Sequence, residues 1–145
     1  RSALEKTYHP DSGLLTPEAQ SILAHLDNPE WASNEELANR LNEVIRPLAA
    51  RYLLKEKNGD NQPMNPVARF HLGNGAELHR INWLGDVSTN GMKQSAGLMV
   101  NYLSVLENIE RNNEKYIENG ELVCSPSVRE LSKLGRQLLQ GELEK

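Results

Sequence analysis

The sequence predicts an α+β fold, mostly helical with one β-hairpin. Three observations carry this. Apolar residues recur at helical spacing near both ends of the chain. Between them Val67-Ala68-Arg69-Phe70-His71-Leu72 alternates, then Gly73-Asn74-Gly75 supplies a turn, since Asn and Gly tolerate positive φ. The length, 145 residues, is that of one ordinary domain.

Residues 1–15 read as an irregular lead-in, with Tyr8-His9-Pro10-Asp11-Ser12-Gly13 as turn chemistry. Thr16 is an N-cap with Pro17 at the first helical position, where a missing N–H costs nothing. Ile22, Leu23 and Leu26 form its stripe, and Asp27-Asn28-Pro29 ends it. Ser33-Asn34-Glu35-Glu36 is a capping-box pattern opening a second helix. Its stripe is Leu37, Leu41, Val44/Ile45 and Leu48, with a break or kink expected at Pro47 and an end near Lys57.

After a loop at 58–63 the hairpin is expected, with strands at 67–72 and 76–84. The return strand switches parity, from Ala76 and Leu78 to Ile81 and Trp83, which predicts a bulge near Arg80. A three-residue loop would set His71 opposite Glu77, and a two-residue loop would remove that pairing. A loop at 85–93 and a long helix from about Ser95 to Tyr116 follow, the helix carrying Leu98, Tyr102, Val105 and Ile109 and stopping at Gly120. Leu122-Val123-Cys124 is a short strand. Pro126 starts a last amphipathic helix with Val128, Leu131, Leu134 and Leu138. The organisation is thus a helical segment, 1–57, and a segment with the hairpin, long helix and C-terminal helix, 58–145.

Sixteen basic against twenty acidic residues give a net charge of -4, which excludes the basic stripe of a nonspecific nucleic-acid binder. No apolar run approaches the ~20 residues of a membrane span. The single Cys124 fits a cytosolic-type chain, and the expected compartment is the cytoplasm. Only 38% of residues are apolar and 5% aromatic, and the chain starts at Arg1. Both predict a piece of something larger, with apolar faces covered by further sequence or a partner chain.

The four histidines, His9, His25, His71 and His79, show no metal-binding spacing, so no metal is expected. There is no phosphate loop or dinucleotide fingerprint. His71 is the candidate for chemistry, because it sits between Phe70 and Leu72 two residues from a glycine turn, where burial or a neighbouring carboxylate can tune an imidazole. From spacing alone the structural reading, a satisfied histidine on a hairpin, is the favoured one, since a lone histidine is no constellation. Glu77 reads as a solvated cross-strand partner, and Asn82 and Asp86 as turn caps. Cys124 reads as a packing residue, and Trp31 and Trp83 as core or interface anchors.

Three blocks of sequence carry a resemblance. They are Asn65-Pro66-Val67-Ala68-Arg69-Phe70-His71-Leu72-Gly73-Asn74-Gly75-Ala76, Arg80-Ile81-Asn82-Trp83-Leu84-Gly85-Asp86-Val87-Ser88, and Gly97-Leu98-Met99-Val100-Asn101-Tyr102. In order and spacing they resemble the C-terminal part of malonyl-CoA decarboxylases, over roughly residues 45–118. The resemblance implies the C-terminal portion of one catalytic domain with an acetyltransferase-like (GNAT-type) acyl-CoA-binding fold, the upstream half being absent. It implies conversion of malonyl-CoA to acetyl-CoA and carbon dioxide with no metal or organic cofactor, and a homo-oligomer as the assembly. The histidine of the family's Phe-His-Leu motif falls on His71, the proton donor, which works with a serine from an earlier strand. Asn65 and Tyr102 match positions that shape the substrate site.

The sequence also departs from the family. The partner serine and the CoA pyrophosphate loop lie upstream of these residues, and Ser88, Ser95 and Ser104 are not substitutes. Where relatives often carry a tyrosine, Ser104 stands. The ending Gly-Glu-Leu-Glu-Lys is no peroxisomal address. Alone, the chain is expected to be inactive. The competing readings are a noncatalytic acyl-CoA-binding or oligomerisation module and an acyltransferase on the same fold.

Overall fold

Helices dominate the computed structural model, which describes residues 8, 14–28, 30–84 and 97–140. Helix α1 is Pro17–Leu23, with Thr16 as its N-cap accepting from the Ala19 amide, and a 3-10 turn, Ala24–Asp27, continues it. After a second 3-10 turn at Trp31–Ser33 comes α2, Glu35–Lys55, whose N-cap is Asn34 with its side chain accepting from Leu37. Leu41, Val44, Ile45 and Leu48 are buried, as the stripe predicts. Of the break or kink expected at Pro47, the break does not occur. The helix runs through it, because Pro47 is buried where the last helix, α5 (Pro126–Gln137), crosses closest. A Cβ at Gly135 would lie 2.3 Å from the Pro47 carbonyl oxygen. Only glycine allows that approach, and packing outweighs the local cost of proline.

The stretch expected as the first hairpin strand is a helix, α3, Pro66–Gly73. Asn65 caps it, accepting from the Val67 and Ala68 amides at 3.0 Å each, and Pro66 occupies the first turn. Six alternating residues also satisfy a helical period, since Ala68 and Leu72, four apart, are the buried pair. The cap decides between the two. Gly73-Asn74-Gly75 accordingly ends a helix and is not a hairpin turn.

Among the described residues the sheet has two antiparallel strands, β1 (Glu77–Asn82) and β2 (Met99–Leu103). The ladder runs Glu77↔Leu103, Leu78↔Tyr102, then Arg80↔Asn101, so His79 is the extra residue of a bulge where the parity switch predicts one. The partner is β2, within the span expected to open the long helix. Val100 and Tyr102 alternate inward, which suits a strand, and the helix, α4, occupies only Ile109–Asn119 after a 3-10 turn at Leu106–Asn108. It ends at Gly120, φ 64°. Along the other edge of β1, Leu78 forms a parallel bridge to Cys124, with Leu78 N–H donating to Val123 and Ser125 N–H donating to Leu78.

The main core joins α2, α3, β1 and α5 through Leu48, Leu53, Leu72, Leu78, Ile81 and Val128. A smaller one gathers Trp31, Ala38, Leu41 and Ile45, with Trp83 against them and the two indoles 5.6 Å apart. The loop expected at 85–93, with Asp86 and Ser88, and Ser95 lie outside the described residues.

Candidate active site

His71 lies in the last turn of α3, half-buried. Its ring stacks on Tyr102 of β2, centroids 4.6 Å apart and planes 20° off parallel, and Phe70 meets it edge-on at 5.2 Å. Alternation along β2 turns Val100 and Tyr102 inward while Met99, Asn101 and Leu103 face out, so the ladder register fixes where the phenol ring sits. Burial pushes the Tyr102 hydroxyl up to about 12, so at neutral pH it stays protonated, able to donate a hydrogen bond. Phe70 is 66% exposed. The imidazole therefore stands at a surface with aromatic rings on two sides.

The pairing of His71 with Glu77 that a three-residue loop would give is absent, because Pro66–Gly73 is a helix capped by Asn65 and carries no strand register. Glu77 instead meets His79 Nδ1 at 3.1 Å. Arg69, two residues before His71, is engaged elsewhere. Its guanidinium donates to the Pro63 and Met64 carbonyls and ties α3 to the loop before it. Asn82 donates to Asn101 across the ladder. The third sequence candidate, Asn65, sits at the opposite end of α3 from His71, with its side-chain oxygen engaged as the cap. Cys124 is half-buried beside the bulge, and burial raises its thiol, which disfavours the reactive thiolate.

The turn after His71 is unusually well tied. Asn112 and Asn113 of α4 donate to the Gly75 and Gly73 carbonyls at 3.0 and 2.6 Å. Sequence reasoning passed over both. The available signal was a pair of adjacent asparagines inside a helix, where they are poor formers and need partners for their amides.

Among the described residues no three His, Cys, Asp or Glu side chains converge as a metal cage, and no helix is long and apolar enough to cross a membrane. A cavity of about 340 Å³ lies between α2 and α5, lined by Asn42, Arg46, Leu131 and Leu134 among others. None of its walls belongs to α3 or the sheet, so it is separate from His71.

Comparison with known proteins adds relatives to this geometry. The family model described as malonyl-CoA decarboxylase C-terminal domain matches residues 1–142. A curated relative, malonyl-CoA decarboxylase, mitochondrial, of Anser anser anser is 44% identical over 103 residues, which is 71% of this chain and 20% of that protein. Crystal structures of malonyl-CoA decarboxylase from Rhodopseudomonas palustris and Agrobacterium vitis each superpose with a TM-score of 0.83 at 47% identity over 90% of this chain. They are covered to 30% and 32% of their own length. The chain thus spans about a fifth of the curated relative and a third of the solved ones.

Proposed function

The chain belongs to the malonyl-CoA decarboxylase family, and from that premise we propose that the protein containing it converts malonyl-CoA to acetyl-CoA and carbon dioxide with His71 as the acid. The bond between the malonyl α-carbon and its carboxylate breaks, and its electron pair moves into the thioester as an enolate. Carbon dioxide leaves. His71 then delivers its proton to the α-carbon, giving acetyl-CoA.

One observation carries the assignment. Among the described residues the His71 ring has a stacked tyrosine for a support, yet neither ring nitrogen has a hydrogen-bond partner. Such a ring is oriented by its face and left with both nitrogens for groups brought to it, a substrate on one and the upstream serine of the family on the other. Tyr102 shapes the substrate site beside it, with a hydroxyl that remains a donor. Asn65 contributes through the helix it caps.

We further propose that these 145 residues are the C-terminal portion of an acetyltransferase-like catalytic domain, assembled as a homo-oligomer. The outward side chains of Val67, Phe70, Met99 and Leu103 are then the faces that the remaining four-fifths of the polypeptide covers. A single cysteine in these 145 residues fits a reducing compartment, and the proposed one is the cytoplasm.

The test is carbon dioxide release from malonyl-CoA by the full-length protein, wild type beside His71→Asn. Turnover is expected to fall at least ~100-fold with a modest change in substrate affinity. A near-wild-type rate rejects the role of His71. A wild type that binds malonyl-CoA without releasing carbon dioxide makes the protein a binding module, and Ser104→Tyr is then the first variant to make.

A further inference from the structure

We propose that Asn112 and Asn113 of α4 form a clamp that positions His71, acting on the backbone of the turn that follows it. The inference rests on the catalytic reading of His71. Neither asparagine touches substrate in this account, so both are positioning residues.

A helix leaves its last four carbonyls without intrahelical donors. In α3 these belong to Phe70, His71, Leu72 and Gly73. The turn supplies three of them itself. Asn74 gives Phe70 O both its main-chain N–H, at 3.2 Å, and its side-chain amide, at 2.8 Å. His71 O accepts from the Asn74 and Ala76 amides, and Leu72 O accepts from Gly75 N–H. The fourth, Gly73 O, is reached by Asn113, and Asn112 takes Gly75 O just beyond. Every carbonyl at the end of the helix bearing His71 is therefore held.

One face of α4 does this. Ile109, Asn112, Asn113 and Tyr116 follow the spacing of a single helical stripe. Gly75, at φ 89°, presses on Ile109 so closely that a Cβ would lie 2.4 Å from the Ile109 carbonyl oxygen. A Cβ at Gly73 would meet the Tyr116 ring at 3.6 Å. Packing alone would favour leucine or alanine between Ile109 and Tyr116. Two asparagines there lower helix propensity, and Asn112 is only 7% exposed, which requires a partner for its amide. The carbonyls of the His71 turn are that partner.

The consequence is a division of labour. Tyr102 fixes the plane of the imidazole from β2, while α4 fixes the main chain two residues beyond it. Proton transfer to carbon needs both, because small displacements of a reacting group cost large factors in rate.

The experiment uses the full-length protein with malonyl-CoA and isotope-labelled histidine. Asn113→Asp keeps the size of the side chain but sets a carboxylate against the Gly73 carbonyl, and Asn113→Gln keeps the amide donor. Asn113 is chosen because it is half-buried, and Asn112→Asp is run beside it with folding checked by thermal melting. Asn113→Asp is expected to lower kcat about tenfold. KM should stay within about twofold, as for an interaction that matters only in the transition state. The His71 ring resonance should move as the imidazole leaves the shielding face of Tyr102, and Asn113→Gln should recover part of both effects.

An unchanged kcat with an unchanged resonance overturns the clamp. So does a loss of activity that only tracks the loss of folded protein and is not recovered by Asn113→Gln. Should His71→Asn itself keep full activity, the catalytic reading fails. The clamp is then judged by the resonance alone, supported if it moves and overturned if it does not.

Discussion

Helices α2 and α5 hold each other by apolar burial, whereas the α3–β1–β2 unit adds to its share of that core, Ala68, Leu72, Leu78 and Ile81, a set of hydrogen bonds to main-chain carbonyls. In the helical pair Leu48 and Val128 are buried and Gly135 brings the backbones together at Pro47. In the site unit Leu72 and Leu78 enter the same core, while Val67, Phe70, Met99 and Leu103 point outward and the fixings around them are polar. Arg46 reaches the Ile81 carbonyl, Ser125 the His79 carbonyl, and Asn112 and Asn113 the Gly75 and Gly73 carbonyls. On the proposed reading of His71, a side chain that substrate must reach cannot be walled in with leucines. Directional bonds to the backbone hold it in place and leave its ring accessible.

The largest effect that tests this contrast is expected in the apolar half. Leu48→Ala should destabilise the full-length protein by about 2–5 kcal/mol, seen as a lower denaturation midpoint. Turnover per folded molecule should stay near wild type. Gly75→Ala should cost less, about 1–3 kcal/mol, from its positive φ and the contact with Ile109. Its turnover per folded molecule should nevertheless fall, because the strained turn is the one behind His71. Equal turnover losses per folded molecule in the two variants would break the contrast.

A smaller effect is expected at alkaline pH. Tyr102 is pushed up to about 12 from an ordinary value of 10.0 by burial. The unfolded chain therefore loses this proton first, and the folded state binds more protons between the two values. The stabilisation is complete below about 10 and declines as the pH rises towards about 12. Burial raises Tyr8 and Tyr52 in the same direction. Tyr102→Phe keeps the stacked ring and removes its titration, so stability should fall less steeply with alkali than in wild type. The same slope in both proteins would show that the phenol is not buried.

The helix ends were legible in the sequence. Thr16-Pro17 and Ser125-Pro126 each combine a side-chain acceptor with a proline in the first turn, and both open helices. The bulge was legible too, because a parity switch cannot be met by a regular strand. The same cap-and-proline signature at Asn65-Pro66 outweighs the alternation after it, so the expected strand became α3. Alternation over six residues is too short to separate a strand from a helix. The spacing of Leu98, Tyr102, Val105 and Ile109 suits a helix, but Val100 and Tyr102 pair with β1 across a long connection. No local signal records such a partner.

For the candidate site, the motif around His71 pointed to the family and singled out that residue as the candidate, since side-chain order along the chain is enough for that. What surrounds the imidazole was decided in three dimensions. Glu77, the neighbour the local pattern offered, belongs to His79, and the stacked Tyr102 comes from 31 positions downstream. The sequence by itself determined the helix starts at Thr16-Pro17 and Pro126, the apolar stripes of α2 and α5, a bulge near Arg80 and His71 as the candidate residue. Only the tertiary structure decided that β2 is a strand, that Tyr102 supports the ring and that α4 ties down its turn. Caps and stripes act over a few residues, so local chemistry specifies them, whereas strand pairing and long-range hydrogen bonds depend on which distant segment packs alongside.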